Sequence, residues 1–310
     1  MATISAAMVK ELRERTGAGM MDCKKALVET DGDIDKAVEV LREKGLGKAA
    51  KKADRVAAQG LVATKVAESG DKAAIIEVNA ETDFVAKNED FVEFVQKLNE
   101  LVLEGSFESV DEFEASKFDG DTTVKEELTE KIATIGENMN IRRFESLGAA
   151  GCVYASYVHG NGKIAVLVEM KTDAAASEVM ELGKDVAMQV ASMNPAYNIR
   201  EDVDADYIAR EKEIILKQAL NENEQAAKPK PEEIVTKIAE GRLNKQLKEV
   251  CLQEQAFVKD SSMTVAEYIN SKAKEIGKDV KVTKTVRYEV GEGIEVKEED
   301  FAEEVAKQMS

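Results

Sequence analysis

The apolar residues of this chain change their spacing at Gly60, and that change does most to restrict how it can fold. Before Gly60 they recur at the intervals of one helical face. Met8, Val9 and Leu12 share a face ahead of Gly17, with Ser5 placed to cap the helix. A second helix follows Met20-Met21-Asp22 and turns Cys23, Ala26 and Leu27 inward. Asp33 can cap a third, with Ala37, Val40 and Leu41 inward and Gly45 past its end. About 40 residues is close to the lower limit for independent folding, so this unit is expected to rest on one tight apolar cluster. The basic stretch Gly47-Lys-Ala-Ala-Lys-Lys-Ala-Asp-Arg55 reads as a solvated helical linker rather than a phosphate-binding patch, because its few cations sit in an acidic chain.

After Gly60 the period becomes that of strands. Residues 61–66 and 73–78 flank the turn Glu68-Ser-Gly-Asp71 and predict a β-hairpin. A helix follows Asn88, with Phe91, Phe94, Val95, Leu98 and Val102 on one stripe. Thr123-x-x-Glu126 is a capping-box pattern and opens a helix that buries Val124, Leu128, Ile132 and Ile135. The same order then returns. Residues 152–158, the turn His159-Gly-Asn-Gly162 and residues 164–170 form a second hairpin, followed by a helix through Val179, Leu182, Val186 and Val190. Lys72-Ala-Ala-Ile-Ile-Glu-Val and Lys163-Ile-Ala-Val-Leu-Val-Glu occupy matching places, and each unit reaches a Thr-Asp pair. Two related α+β halves are expected.

Asn194-Pro195 ends the last of these helices. Residues 204–221 and 231–250 then read as two polar helices joined through Lys228-Pro-Lys-Pro231, with Tyr207, Ile208, Ile214 and Ile215 facing Ile234, Ile238, Leu243 and Leu247. An antiparallel helical hairpin projecting from the core fits, and it offers a surface for self-association. A capping box at Thr264 and Glu267 leads a helix to Ile276; Val280, Val282, Val286, Tyr288 and Val290 mark a strand that rejoins the second half. A short final helix is expected to carry Phe301, Val305 and Met309. The fold class is α+β. The divisions are a three-helix module and linker (1–55), a first core subdomain (56–140), a second core subdomain in two parts (141–200 and 253–292), the helical hairpin (201–252) and a C-terminal module (293–310).

The chemistry to be expected is narrow. Lys and Arg total 43 against 61 Asp and Glu, a net charge of −18, which opposes direct nucleic-acid binding because phosphate recognition rests on cations. No apolar run reaches the roughly 18–20 residues of a membrane span. Met1-Ala-Thr-Ile-Ser lacks the basic and apolar regions of a secretory signal, and three scattered cysteines suit a reducing compartment, so a cytoplasmic location is expected. His159 is the only histidine; no metal spacing exists, and no cofactor is expected. A thiol hydrolase would have to pair Cys152 with His159, which an extended strand would hold about 20 Å apart. Gly291-x-Gly293 lacks the remainder of a dinucleotide motif, and there is no phosphate-binding GxxxxGK[ST]. The chain is read as a non-enzyme.

One loop stands out. Glu81-Thr-Asp-Phe-Val-Ala-Lys-Asn88 falls between a core strand and a helix, where polar residues are usual, yet carries Phe84 and Val85. The residues alone leave two readings open. Phe84 can pack beneath its own loop as a helix staple, or stand out as an apolar wedge beside a carboxylate, suited to prying at a partner.

Val9-Lys-Glu-Leu-Arg-Glu-Arg-Thr-Gly-Ala-Gly-Met-Met-Asp-Cys-Lys-Lys-Ala-Leu27 resembles the N-terminal signature of the elongation factor Ts family. Glu77-Val-Asn-Ala-Glu-Thr-Asp-Phe-Val-Ala-Lys-Asn88 resembles its second signature. Ile135-Gly-Glu-Asn138 with Ile141-Arg-Arg143, Tyr157-Val-His-Gly160 and Arg287-Tyr-Glu-Val-Gly-Glu-Gly-Ile294 are similar to further family segments in the family's order. The resemblance implies a ubiquitin-associated-like N-terminal module, a two-part core, a helical hairpin and a C-terminal module. It implies a guanine-nucleotide exchange factor that acts on elongation factor Tu, both GDP-bound and nucleotide-free, and promotes loss of Mg²⁺ and GDP. By motif match, Thr82, Asp83, Phe84 and Val85 would intrude near the partner's Mg²⁺ and nucleotide. Val9, Leu12, Met20 and Met21 would meet its nucleotide-binding domain, Ile135 and Gly136 would form another contact, and His159 would reach a distal domain. An adaptor that binds through its ubiquitin-associated-like module, without exchange activity, is the alternative.

Overall fold

The computed structural model describes residues 4–295. Three helices open the chain: α1 (Ala6–Thr16), α2 (Met20–Glu29) and α3 (Ile34–Ala50). Ser5 caps α1 through the Met8 amide, Gly17 ends it in the left-handed region, and Asp33 caps α3 through the Lys36 amide. Leu12, Cys23, Ala26, Leu27 and Ala37 form their shared core. The expected stop at Gly45 does not occur, because α3 continues through it to Ala50. Gly45 is buried, and a Cβ there would lie 3.4 Å from the Ala133 Cβ, so the missing side chain allows close helix packing instead of a stop. The module therefore rests on a second support besides its own cluster.

The first sheet joins β1 (Gln59–Val66) to β2 (Ala73–Ala80) as an antiparallel hairpin. Two helices follow, a single turn α4 (Asp83–Ala86) and then α5 (Glu89–Glu104), capped by Asn88. Next come short elements that periodicity does not announce: α6 (Val110–Ala115), β3 (Lys117–Asp119) and β4 (Thr122–Thr123). The capping box at Thr123 and Glu126 starts α7 (Val124–Ile135), and β5 (Met139–Leu147) returns to pair with β2. Since β5 runs through residue 141, a division at 140/141 would cut a strand of the first sheet; the pairing puts that sheet's end at Leu147.

The second sheet repeats this strand order. It comprises β6 (Cys152–His159), β7 (Ile164–Thr172) and, after a long excursion, β10 (Val280–Glu289) beside β7. The excursion contains α8 (Ala176–Met193), the antiparallel pair α9 (Ala205–Glu224) and α10 (Glu232–Val250), the small hairpin β8 (Ala256–Phe257) and β9 (Asp260–Thr264), and α11 (Val265–Ile276). Ile215, Ala219, Val235, Ala239, Leu243 and Leu247 fill the seam of the α9–α10 pair. Ile214 and Ile234, expected to face each other, are instead exposed. Ile215, Leu243 and Leu247 are in the seam as expected, while on α10 Val235, one position on from Ile234, turns inward in its place. The helix expected around Phe301, Val305 and Met309 lies outside the described residues.

The sheets stack face to face with helices on both outer sides. Alternate residues of β2 show how: Ala74, Ile76 and Val78 meet α5 and α7, while Ala73 and Ile75 meet Tyr154, Leu167, Val286 and Tyr288 of the second sheet. On the far side Val153, Ala155, Val166, Val168 and Met170 pack against α8 and α11. Covering on both faces is why β2 is largely apolar, interrupted only by Glu77 and Asn79, with every residue buried. The strand's one charge, Glu77, is fully buried between the sheets. It accepts from Arg143 Nε at 2.6 Å, Arg142 Nη1 at 3.1 Å, Asn79 Nδ2 at 3.1 Å and the Gly291 amide at 2.8 Å. Arg143 also lies over the Tyr288 ring at 4.1 Å and reaches Glu292 at 3.2 Å. The carboxylate thus ties β2 and β5 to the segment just past β10.

Candidate functional site

Phe84 is 80% exposed, the most exposed large apolar residue among those described. The staple reading therefore fails, for a local reason. Thr82 caps α4, its Oγ1 accepting from the Val85 amide at 3.4 Å, and one helical turn rotates Phe84 outward while Val85 and Ala86 turn into the first core. Val85 is thus an anchor, with no free surface to offer a partner. Asp83 lies beside Phe84 and forms an ion pair with Lys87 at 2.6 Å. The hydrogen bond from Lys87, reinforced by its charge, holds the Asp83 carboxyl below the usual carboxylate range.

The loop is fixed from behind by residues beyond α7. Glu137 accepts the Thr82 amide at 2.9 Å and the Thr82 hydroxyl at 2.7 Å. In return, Glu81 accepts the Asn138 amide at 2.6 Å. The Asn138 side chain donates to the Arg55 carbonyl at 2.7 Å and the Ala53 carbonyl at 3.4 Å, and Arg55 approaches Glu81 at 3.5 Å. The linker, the loop and the end of α7 therefore meet at one junction. Gly136 makes the sharp turn there, ending α7 with φ 92°, a conformation that Cβ-bearing residues seldom adopt. Ile135 is half-buried against the first core.

The three-helix module adjoins this junction. A Cβ at Gly17 would lie 3.7 Å from the Thr134 side chain, and Arg42 pairs with Glu126 on α7. Met20 and Met21, starting α2 just after Gly17, are 57% and 64% exposed. Val9 is half-buried at the edge of the module core. Leu12 is fully buried inside it, so its side chain holds the three helices together rather than facing outward. The structure thus brings together the α1–α2 turn, the start of α4 and the end of α7, three segments far apart in sequence.

His159 lies elsewhere, exposed at the end of β6, with Nδ1 3.0 Å from the Tyr157 hydroxyl. The turn after it places Gly160, Asn161 and Gly162 in succession in the left-handed region. It seats on β1, where the Val62 amide donates to the Gly162 carbonyl at 2.8 Å and Lys163 donates to Gln59 at 2.7 Å. Cys152 is at the opposite end of the same strand, and burial pushes its thiol up, away from the thiolate a nucleophile needs. Among the described residues, no three His, Cys, Asp or Glu side chains are grouped to hold a metal ion, and no helix is long and apolar enough to cross a membrane.

Sequence reasoning missed Glu81, Glu137 and Asn138 as a clamp. The available signal was an acid and an amide directly after a helix-ending glycine, but their partners are more than 50 residues away. The family model for elongation factor TS matches residues 81–292. The chain is 55% identical over 304 residues to elongation factor Ts of Clostridium perfringens, covering 98% of each chain. It is 55% identical over 309 residues to that of Clostridioides difficile, covering all of each, and 52% identical over 308 residues to that of Clostridium kluyveri, covering 99% of each. With a family match over most of its length and relatives of this similarity end to end, the chain belongs to the elongation factor Ts family.

Proposed function

We propose that this protein is the guanine-nucleotide exchange factor for elongation factor Tu in the bacterial cytoplasm, and that Phe84 is its wedge. One observation carries the reading: a phenylalanine in a family signature stands 80% exposed, on a helical turn fixed from below, with a carboxylate beside it. An exchange factor breaks no covalent bond. It binds the nucleotide-free partner more tightly than the GDP-bound one, and by linkage nucleotide weakens its hold equally. Inserting one aromatic ring into an apolar crevice yields about 1.5–3 kcal/mol, a tenfold to hundredfold bias. Asp83, held toward its ionised form and paired with an exposed Lys87, can trade that partner for groups that hold the other protein's Mg²⁺.

In this reading Met20 and Met21, with Val9 at their edge, dock a ubiquitin-associated-like module on the nucleotide-binding domain, while Leu12 and Val85 act only as supports. Gly136 and the exposed flank of Ile135 extend the contact, and His159 meets a more distant domain. The shared strand order of the two sheets supports a core of two related halves. The adaptor alternative gives no role to Phe84.

The test is stopped-flow release of fluorescent GDP from elongation factor Tu. Phe84→Ala should lower the stimulated rate by roughly tenfold to hundredfold, with an unchanged melting temperature, since an exposed ring adds little to the fold. A folded variant that stimulates release as well as the parent refutes the wedge.

A further inference from the structure

We propose that Glu137 and Asn138 are positioning residues for exchange, holding Phe84 at a set distance from the docking module. The inference rests on the exchange reading above and adds how the wedge is aimed. Phe84 has no neighbour to fix it directly, being 80% exposed. Its direction is inherited from the turn it sits on, and that turn hangs from Thr82. Thr82 gives both its donors, the amide and the hydroxyl, to the two oxygens of one carboxylate, at 2.9 and 2.7 Å. The two segments exchange these bonds reciprocally: Glu81 takes the Asn138 amide, and Glu137 takes the Thr82 amide. Two crossed, charge-assisted bonds resist twisting in a way that one bond does not.

The other end of the device is α7. It touches the three-helix module at Gly17, Arg42 and Gly45, and delivers Glu137 and Asn138 as the first two residues past its terminal glycine. The Asn138 side chain then closes the linker onto the same point through the Ala53 and Arg55 carbonyls. Thus α7 is a strut with the turn that leads into the docking methionines against its side and the wedge beyond its tip. A carboxylate suits position 137 best. A glutamine can hold the Thr82 amide on its oxygen, but its NH2 must then donate to the Thr82 hydroxyl in place of accepting from it, and the charge assistance of both bonds is lost.

The clamp predicts a split between rate and affinity. Loosening it leaves the docking surface intact but lets Phe84 swing away from its approach. In the full chain, Glu137→Gln and Asn138→Ala should lower the saturating rate of fluorescent-GDP release from elongation factor Tu by about tenfold or more, with the half-saturating concentration within about threefold of the parent. Thr82→Val should fall in the same direction, removing the hydroxyl contact with Glu137 together with the α4 cap, and the double variant with Glu137→Gln should lose less than the product of the two single losses, since they share one contact. Fluorine NMR of the free chain, labelled at Phe84, gives an independent readout: the ring is already solvated, so its signal should narrow in both clamp variants as the turn that carries it gains freedom. An unchanged saturating rate in folded variants overturns the proposal, as does a loss lying wholly in half-saturation or an unchanged fluorine line width. A parent chain that stimulates no release overturns the exchange reading instead, and the fluorine signal then decides the clamp alone.

Discussion

Replacing Glu77 with glutamine changes one atom in the middle of the fold, and its consequences can be worked out from four contacts. Glutamine keeps the volume and one acceptor oxygen, which can still serve the Asn79, Arg142 and Gly291 donors clustered on Oε1. The other oxygen becomes an NH2 that faces Arg143 Nε–H at 2.6 Å, donor against donor. Losing one partner of a buried pair typically costs about 3–5 kcal/mol. Here the two guanidiniums are 26% and 32% exposed, and Arg143 keeps Glu292 and the Tyr288 ring, so hydration and the remaining contacts reduce this to about 2–4 kcal/mol. For a chain of this size that is a fall in melting temperature of roughly 4–12 °C. The loss should also be local. Hydrogen exchange at the Gly291 amide, which donates to Glu77 at 2.8 Å, should accelerate more than exchange at β2 amides. A melting temperature within about 1 °C of the parent, together with unchanged protection of Gly291, would refute the idea that this charge fastens the end of β10.

Two further outcomes follow from the geometry. A chain lacking residues 1–50 should keep both sheets but bind elongation factor Tu more weakly, measured by titration. It should also melt lower, because removing α3 uncovers α7 around Ala133 and breaks the Arg42–Glu126 pair; full affinity in the truncated chain would count against docking by the module. The second outcome concerns pH. The Thr123 amide, chiefly, holds the Glu126 carboxyl below its ordinary value of 4.5. A depressed folded value means the contribution is complete above the unfolded value and is lost as pH falls through the folded one. The melting temperature of Glu126→Gln should therefore lie below the parent's at neutral pH and converge on it below about pH 4.5; a constant gap down to acid would refute the capping role.

Much of this fold could be read from local signals. Ser5, Asp33, Asn88, Thr123 and Thr264 all cap the helices their positions predicted, because capping involves only neighbours within a turn. Both main hairpins were legible for the same reason. Gly45 misled because a glycine also permits close packing, and only the position of Ala133 decides between that and a stop. The strand β5 was obscured by Arg142 and Arg143, which interrupt its apolar alternation and make sense only opposite Glu77, some 65 positions earlier. At the site, the unusual composition of residues 81–88 was visible, but not the direction of Phe84. That depended on Thr82 starting a single helical turn and on Glu137 reaching it from beyond α7.

The placement of β10 has a consequence for how the chain is made. The first sheet is complete once Leu147 has been synthesised, and its strands pair across an interval of fewer than 90 residues. The second cannot close until Val280–Glu289 emerges, more than 100 residues after its partner β7, with a long helical pair built in between. Contacts between such distant residues form slowly, because a long loop must close before they can stabilise anything. Until then the inner face of β6 and β7 has only the first sheet to cover it. During synthesis, the finished half serves as the template on which the unfinished one waits for its last strand.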